Sequence, residues 1–204
     1  MPGEHGQGCG CREESETVGG TDLLSYINTE GIHALNELNF GSCKQLFRLY
    51  SDRLNEDFFC ESQEDDPELM LFIPFSTPCS ISSITIIGGD NGTSPSRVKV
   101  YINNENIDFS TVDELEPAQS LDLIEDFCGA FEYNLRANKF KNVSYIVLYF
   151  PSSINSDQTK IYYIQLKGYA TNYQRKAVTA VYESKPNVSD HKNSLESPNL
   201  FGLK

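Results

Sequence analysis

The sequence predicts an all-β fold, a β-sandwich or jelly roll, on three observations. Apolar residues recur with period two in several short runs, as half-buried strands require. Clusters of Gly, Asn, Asp, Ser and Pro punctuate those runs, and helical spacing is confined to one segment. No repeat of roughly 20–50 residues is present, which argues against a propeller or solenoid.

The amino end, residues 1–14, is rich in Gly and Cys with almost no large apolar groups, which predicts a disordered tail. Residues 15–187 are expected to form one folded domain, and residues 188–204 a second disordered tail. Within the domain, Ser42 to Gln45 fits an S-x-x-Q capping box. Cys43, Leu46, Phe47, Tyr50 and Leu54 follow at helical spacing, so a helix is expected over 43–54.

The run ELMLFIPF places Leu69, Leu71, Ile73 and Phe75 on one strand face. Pro74 cannot donate a ladder hydrogen bond, so this strand is expected at an edge or at its end. SISSITIIG predicts a second strand, and GDNGTSPS a turn. VKVYI alternates with Val98, Val100 and Ile102 inward and Lys99 and Tyr101 outward. VSYIVLYF is apolar on both faces, as a central strand would be. IYYIQLKG sets Tyr162, Ile164 and Leu166 against Tyr163, Gln165 and Lys167. A dozen such buried side chains, each contributing about 1.5–3 kcal/mol, are enough to hold a sandwich against chain entropy.

Composition narrows the function. The 204 residues carry 29 acids against 16 bases, a net charge of −13, with 12 Phe, 11 Tyr and no Trp. Phosphate binding needs clustered cations, so a nucleic-acid partner is not expected, and anionic membrane surfaces would repel the chain as well. No run approaches the roughly 18 apolar residues of a membrane helix, and no secretory signal is visible. The expected compartment is therefore cytoplasmic or nuclear. The sequons at Asn91, Asn142 and Asn187 are expected to remain unmodified and the six cysteines reduced. Cys79 and Cys128 are expected to be buried or half-buried.

Few residues suggest catalysis. Of three histidines, His5 and His191 lie in the tails, where no rigid base can be held, and His33 reads as structural. No phosphate-cradling glycine loop and no H-E-x-x-H is present. His5, Cys9 and Cys11 in HGQGCGC have the chemistry of metal ligands, but they lack a fourth donor and the usual C-x₂₋₄-C spacing. They are only weak candidates, and no cofactor is expected. The acidic run ESQEDDPE contributes Glu61, Glu64, Asp65, Asp66 and Glu68, either as a solvated loop or as a docking surface for a basic partner. DELEP at 113–117 has the same ambiguity.

Several spaced motifs resemble one family. ESQEDDPELMLFIPF is similar to the entry into the PITH domain, with Leu71, Phe72, Ile73, Pro74 and Phe75 at the L-F-x-I-P-F places, compressed by one residue. Leu35-Asn36-Glu37, Arg53, Pro95 before VKVY, Pro117 and Gln119, Phe140 and Val143, and Thr159 to Gly168 resemble further family motifs in order. The resemblance runs from about Asp22 to His191, and HGQGCGC is similar to the stand-alone members. Two departures stand out: Tyr50 replaces a family Trp, and relatives have proline where this chain has Leu49, which puts the 43–54 helix in doubt. The resemblance implies a sandwich of the galactose-binding-like type without catalytic residues. It also implies a protein-interaction module that associates with the 26S proteasome regulatory particle, as in thioredoxin-fused relatives. The alternative is a carbohydrate-binding jelly roll using Tyr101, Tyr133, Tyr163 or Tyr173 as platforms.

Overall fold

A computed structural model describes residues 20–171. The predicted tails 1–14 and 188–204, with His5, Cys9, Cys11, Asn187 and His191, lie outside the described residues, as does Tyr173.

Nine strands carry the fold: β1 (Thr21–Asp22), β2 (His33–Leu35), β3 (Cys60–Glu61), β4 (Leu69–Gly88), β5 (Arg97–Ile102), β6 (Gln119–Asp122), β7 (Tyr133–Asn134), β8 (Val143–Phe150) and β9 (Lys160–Ala170). All pair antiparallel in the order β1-β9-β4-β8-β5-β6, while β2 and β7 also pair with β4, and β3 with β9. The result is one curled antiparallel sheet whose two halves face each other, the expected all-β class.

The strand that curls it is β4. Its 20 residues merge the two strands expected from ELMLFIPF and SISSITIIG. The first part pairs with β2 and β8, and the second with β7 and β9. Pro74 is therefore inside the sheet, not on an edge. The regular ladder with β8 runs from Leu69 to Pro74, breaks, and resumes at Cys79. The missing N–H of proline is tolerated where the strand bends from one layer into the other.

The main core lies between the halves and includes Leu71, Ile73, Val98, Val100, Ile146, Leu148, Phe150, Ile164 and Leu166. A second cluster lies on the other face of β4, β5 and β8, where Ile107 and Val112 from the β5–β6 connection cover Phe72, Tyr101, Val147 and Tyr149. Tyr101, expected outward, is thus buried, and its hydroxyl donates to the Val112 carbonyl at 3.1 Å. The alternation was correct, but the long connection folds back over its outer face.

The phase of β9 also differs from expectation. Ile87 pairs with Tyr163 and Gly88 with Ile161, so Tyr162 is an extra residue in a bulge. One extra residue flips the alternation, and Ile161 joins Ile164 and Leu166 in the core in place of Tyr162.

The predicted helix over 43–54 is absent. Its place is taken by two short 3₁₀ turns, Ser42–Leu46 and Tyr50–Asp52. Leu49 between them is extended at φ −61° and ψ 144°, a conformation that proline shares and that ends a helix. Ser42 does not cap it, since its hydroxyl donates to Glu37 instead. Arg48 holds the irregular segment together. Its Nε donates to Asp52 O at 2.9 Å, its Nη1 to Gln45 O at 2.9 Å and Tyr162 O at 2.7 Å, and its Nη2 to Arg53 O at 3.2 Å and Asn55 O at 3.0 Å. All five guanidinium donors are thereby used. Four carbonyls of the segment 45–55 and one of β9 thus converge on one cation.

Candidate interaction surface

The acidic run is knitted to the segment before it. Leu38 N donates to Glu61 O at 2.9 Å and Gln63 N to Asn36 O at 3.1 Å. The Asn36 side chain donates to Glu68 O at 2.6 Å, and Gln63 Nε2 to Glu37 O at 3.0 Å. Within this frame the five predicted acids separate. Glu61 is half-buried and 3.9 Å from Lys160, whose ammonium sits 3.8 Å from the Phe59 ring centroid. Asp66 accepts the Glu68 N–H at 3.1 Å, closing a local turn. Glu68 accepts the Tyr149 hydroxyl, whose pKa is pushed up by burial first and by that carboxylate second. Glu64 and Asp65 alone of the five are exposed. In the second acidic stretch, Asp113 pairs with Lys99 at 3.3 Å.

Sequence reasoning missed Phe40. Its ring is 97% exposed, yet its loop is rigidly built. The buried Glu37 carboxylate accepts Gly41 N at 2.7 Å, Ser42 Oγ at 3.2 Å and Cys43 N at 3.1 Å, drawing the loop around itself. Gly41 completes the turn at φ +83°. An aromatic ring is therefore displayed on a loop whose ordering cost is met at folding, not at binding; it leaves the antiparallel pairing of 36–38 with 61–63 at the end opposite to Glu64 and Asp65. The spacing E-x-x-x-G-S-C could have signalled a carboxylate-wrapped turn.

A second loop uses the same device. Asp126, buried, accepts Cys128 N at 3.0 Å, Gly129 N at 2.9 Å and Phe131 N at 2.8 Å. Burial alone would raise its pKa, but the converging backbone N–H groups outweigh it and hold the carboxyl below its ordinary range. The loop displays Phe127 and Phe131 to solvent. It faces residues 49–58, where Leu49, Tyr50, Leu54 and Phe58 are also exposed. Arg53 joins the two segments, its Nε donating to Cys128 O at 3.0 Å while the guanidinium lies 4.0 Å from the Tyr50 ring centroid. Between them is a cleft of about 280 Å³.

Cys128 lines that cleft and is exposed, contrary to expectation, although both its backbone N–H, at 3.0 Å, and its thiol, at 3.6 Å, donate to the Asp126 carboxylate. Cys79 is buried as expected. Burial also pushes its thiol pKa up to about 11 and that of Cys60 to about 12. His33 is exposed, stacked on Phe72 at 4.6 Å, with Nδ1 3.2 Å from Gly31 O. Of the proposed sugar platforms, Tyr101 and Tyr163 are buried, and Tyr133 is half-buried with its hydroxyl accepting Ile124 N at 3.0 Å. Among the described residues, no three His, Cys, Asp or Glu side chains stand together as a metal site. No helix among them is long and apolar enough to cross a membrane.

Comparison with known proteins bears on both chain and fold. A family model described as the PITH domain matches residues 13–186. PITH domain-containing protein 1 of Dictyostelium discoideum is 43% identical over 190 residues, covering 91% of this chain and 94% of that protein. The Homo sapiens protein of the same description is 33% identical over 199 residues, covering 95% and 93%. Among solved structures, the CBM32-1 and CBM32-2 domains of Clostridium perfringens ZmpB, in complex with GalNAc, match with a TM-score of 0.52 at 10% identity, over 73% of this chain and 35% of that one. CpGH89CBM32-5 from Clostridium perfringens, in complex with GalNAc-β-1,3-galactose, matches at 0.52 and 8% identity, over 72% of this chain and 100% of that one. At these identities the likeness concerns the fold.

Proposed function

The chain belongs to the PITH domain family, and from that premise we propose that it is a non-enzymatic protein-interaction module of the cytoplasm or nucleus that associates with the 26S proteasome regulatory particle as adaptor or regulator. The observation that supports this reading is the exposed Phe40 ring on a loop built around the Glu37 carboxylate, with the exposed acids Glu64 and Asp65 on the segment paired to it. Exposed aromatic anchors on rigid frames supply most of the energy of protein interfaces, and flanking charges select the partner and speed the encounter. With a net charge of −13, the chain suits a partner that offers an apolar pocket for such a ring and Lys or Arg for the exposed acids. Nucleic acid and anionic membranes do not fit it.

An epitope-tagged copy should co-purify regulatory-particle subunits at moderate salt. Paired charge reversal, Glu64→Lys with Asp65→Lys, should weaken recovery, and Phe40→Ala should weaken it with little added salt dependence. Clean preparations lacking those subunits would overturn the proteasome assignment. Recovery unchanged in all variants would remove the acidic loop from it. The carbohydrate reading has less support, since two of its candidate tyrosines are buried and a third is half-buried; binding on a glycan array would revive it.

A further inference from the structure

The cleft between residues 53–56 and 126–128 is a second built site, lined by none of the acids of the 61–68 run. We propose that it seats one large apolar side chain from a Lys- or Arg-flanked segment of a partner protein. At about 280 Å³ it falls just below the roughly 300–1,000 Å³ of small-molecule sites, a size suited to a side-chain anchor. Leu54, Phe127 and Tyr162 supply its apolar walls. Leu54 is 54% exposed and Phe127 55%, and Leu49, Tyr50, Phe58 and Phe131 extend the apolar surface along the same two segments. A surface of this kind on an otherwise well-packed domain marks a binding region.

The walls are held in place before any ligand arrives. Asp126 fixes the loop bearing Phe127, Arg48 fixes the segment bearing Leu54, and Arg53 clamps one to the other through the Cys128 carbonyl. Charge names the class of occupant. Glu56 and Asp90 stand at the cleft, with Asp52, Asp57 and Glu125 exposed on the adjoining segments. The two guanidiniums nearby, Arg48 and Arg53, are turned to backbone carbonyls. The excess of carboxylates favours cationic flanks on whatever brings the apolar anchor.

Cys128 provides a readout inside the site, because it lines the cleft and is exposed while Cys43, Cys60 and Cys79 are buried. The test uses the full chain and three fluorescein-labelled hexapeptides, KRFLKR, KRAAKR and EEFLEE. It measures fluorescence polarisation and the maleimide labelling rate of Cys128 by peptide mass spectrometry. KRFLKR is expected to bind in the micromolar range and to slow Cys128 labelling at least fivefold, whereas the other two do neither. Phe127→Ala should weaken KRFLKR at least tenfold, and Leu54→Asp likewise, with the circular dichroism spectrum unchanged. Equal binding of KRFLKR and KRAAKR, binding without protection of Cys128, or no binding at 1 mM would overturn the proposal. So would preferential binding of a PNLFGLK peptide, residues 198–204 of this chain, because the occupant would then be the protein itself. Glu64, Asp65 and Phe40 are untouched in these variants, so the result stands apart from the fate of the acidic-loop reading.

Discussion

Gly168 in β9 lies so close to β4 that a β-carbon on it would stand 2.0 Å from the Ser80 carbonyl oxygen. The obstacle is backbone in a central pairing, so it cannot rotate away. Gly168→Ala should therefore lower stability by roughly 3 kcal/mol, at the upper end of overpacking effects. Urea unfolding followed by far-UV circular dichroism checks it; a loss under 1 kcal/mol would show that β9 can shift.

Arg48 should resist conservative replacement. Lysine keeps the charge but has one donor nitrogen where the guanidinium addresses five carbonyls. Arg48→Lys is expected to cost about 2–3 kcal/mol, the scale of charged hydrogen bonds left unmade. Hydrogen exchange should show the loss concentrated in residues 45–58. Uniform loosening across the sheet would contradict the local role.

The Asp126 carboxyl is depressed in the folded chain, so the stability it contributes is present above the unfolded carboxyl pKa of about 3.9 and is lost as pH falls through the lower folded value. Asp126→Asn should be less stable than the parent by about 1–2 kcal/mol at pH 6. The gap should close as pH drops below about 4, measured by urea midpoints at each pH. A gap independent of pH would mean that the charge of Asp126 is immaterial to the turn.

Thiol chemistry should divide the described cysteines sharply. Cys128 is expected to react with maleimide at the rate of an exposed thiol. Cys43, Cys60 and Cys79 should react only on unfolding, since burial both shields them and raises their pKa, to about 12 for Cys60 and about 11 for Cys79. Rapid native labelling of Cys60 would show that the Glu37 turn opens.

Phe40 and Glu37 should have opposite profiles. Removing an exposed ring leaves the fold alone, so Phe40→Ala should move stability by less than about 0.5 kcal/mol. Glu37→Ala strands the Gly41 and Cys43 N–H groups and should cost about 2 kcal/mol. Thermal melts of the two variants decide it. A destabilised Phe40→Ala would mean that the ring packs after all.

Strand content was legible because period-two alternation is local: VKVYI and VSYIVLYF became β5 and β8 with little change. What a sequence window cannot show is what folds over a strand's outer face, and so Tyr101 was misplaced. The β9 bulge escaped for a related reason, since an extra residue is defined only by its partner strand. Helical spacing in 43–54 was real, yet Arg48 and an extended Leu49 outweighed it, with Cys43 and Leu46 still reaching the core. The surface was harder to read. Glu61, Asp66 and Glu68 resemble Glu64 and Asp65 in sequence, and only tertiary partners separate them. Phe40 and Phe127 look like core residues by composition, because exposure of an aromatic ring is set by the carboxylate turn beneath it.

The length of β4 has one more consequence. The acidic loop leads directly into Leu69 at its start, and Ile87 and Gly88 at its finish lie at the cleft. The paired amides on either side of the Pro74–Cys79 bend belong to one strand but to two ladders, so both sets should exchange slowly with solvent while those of Ser76 and Thr77 exchange faster. Both surfaces thus adjoin one ribbon, one at each of its extremities, and whatever grips the protein at either loads the same strand.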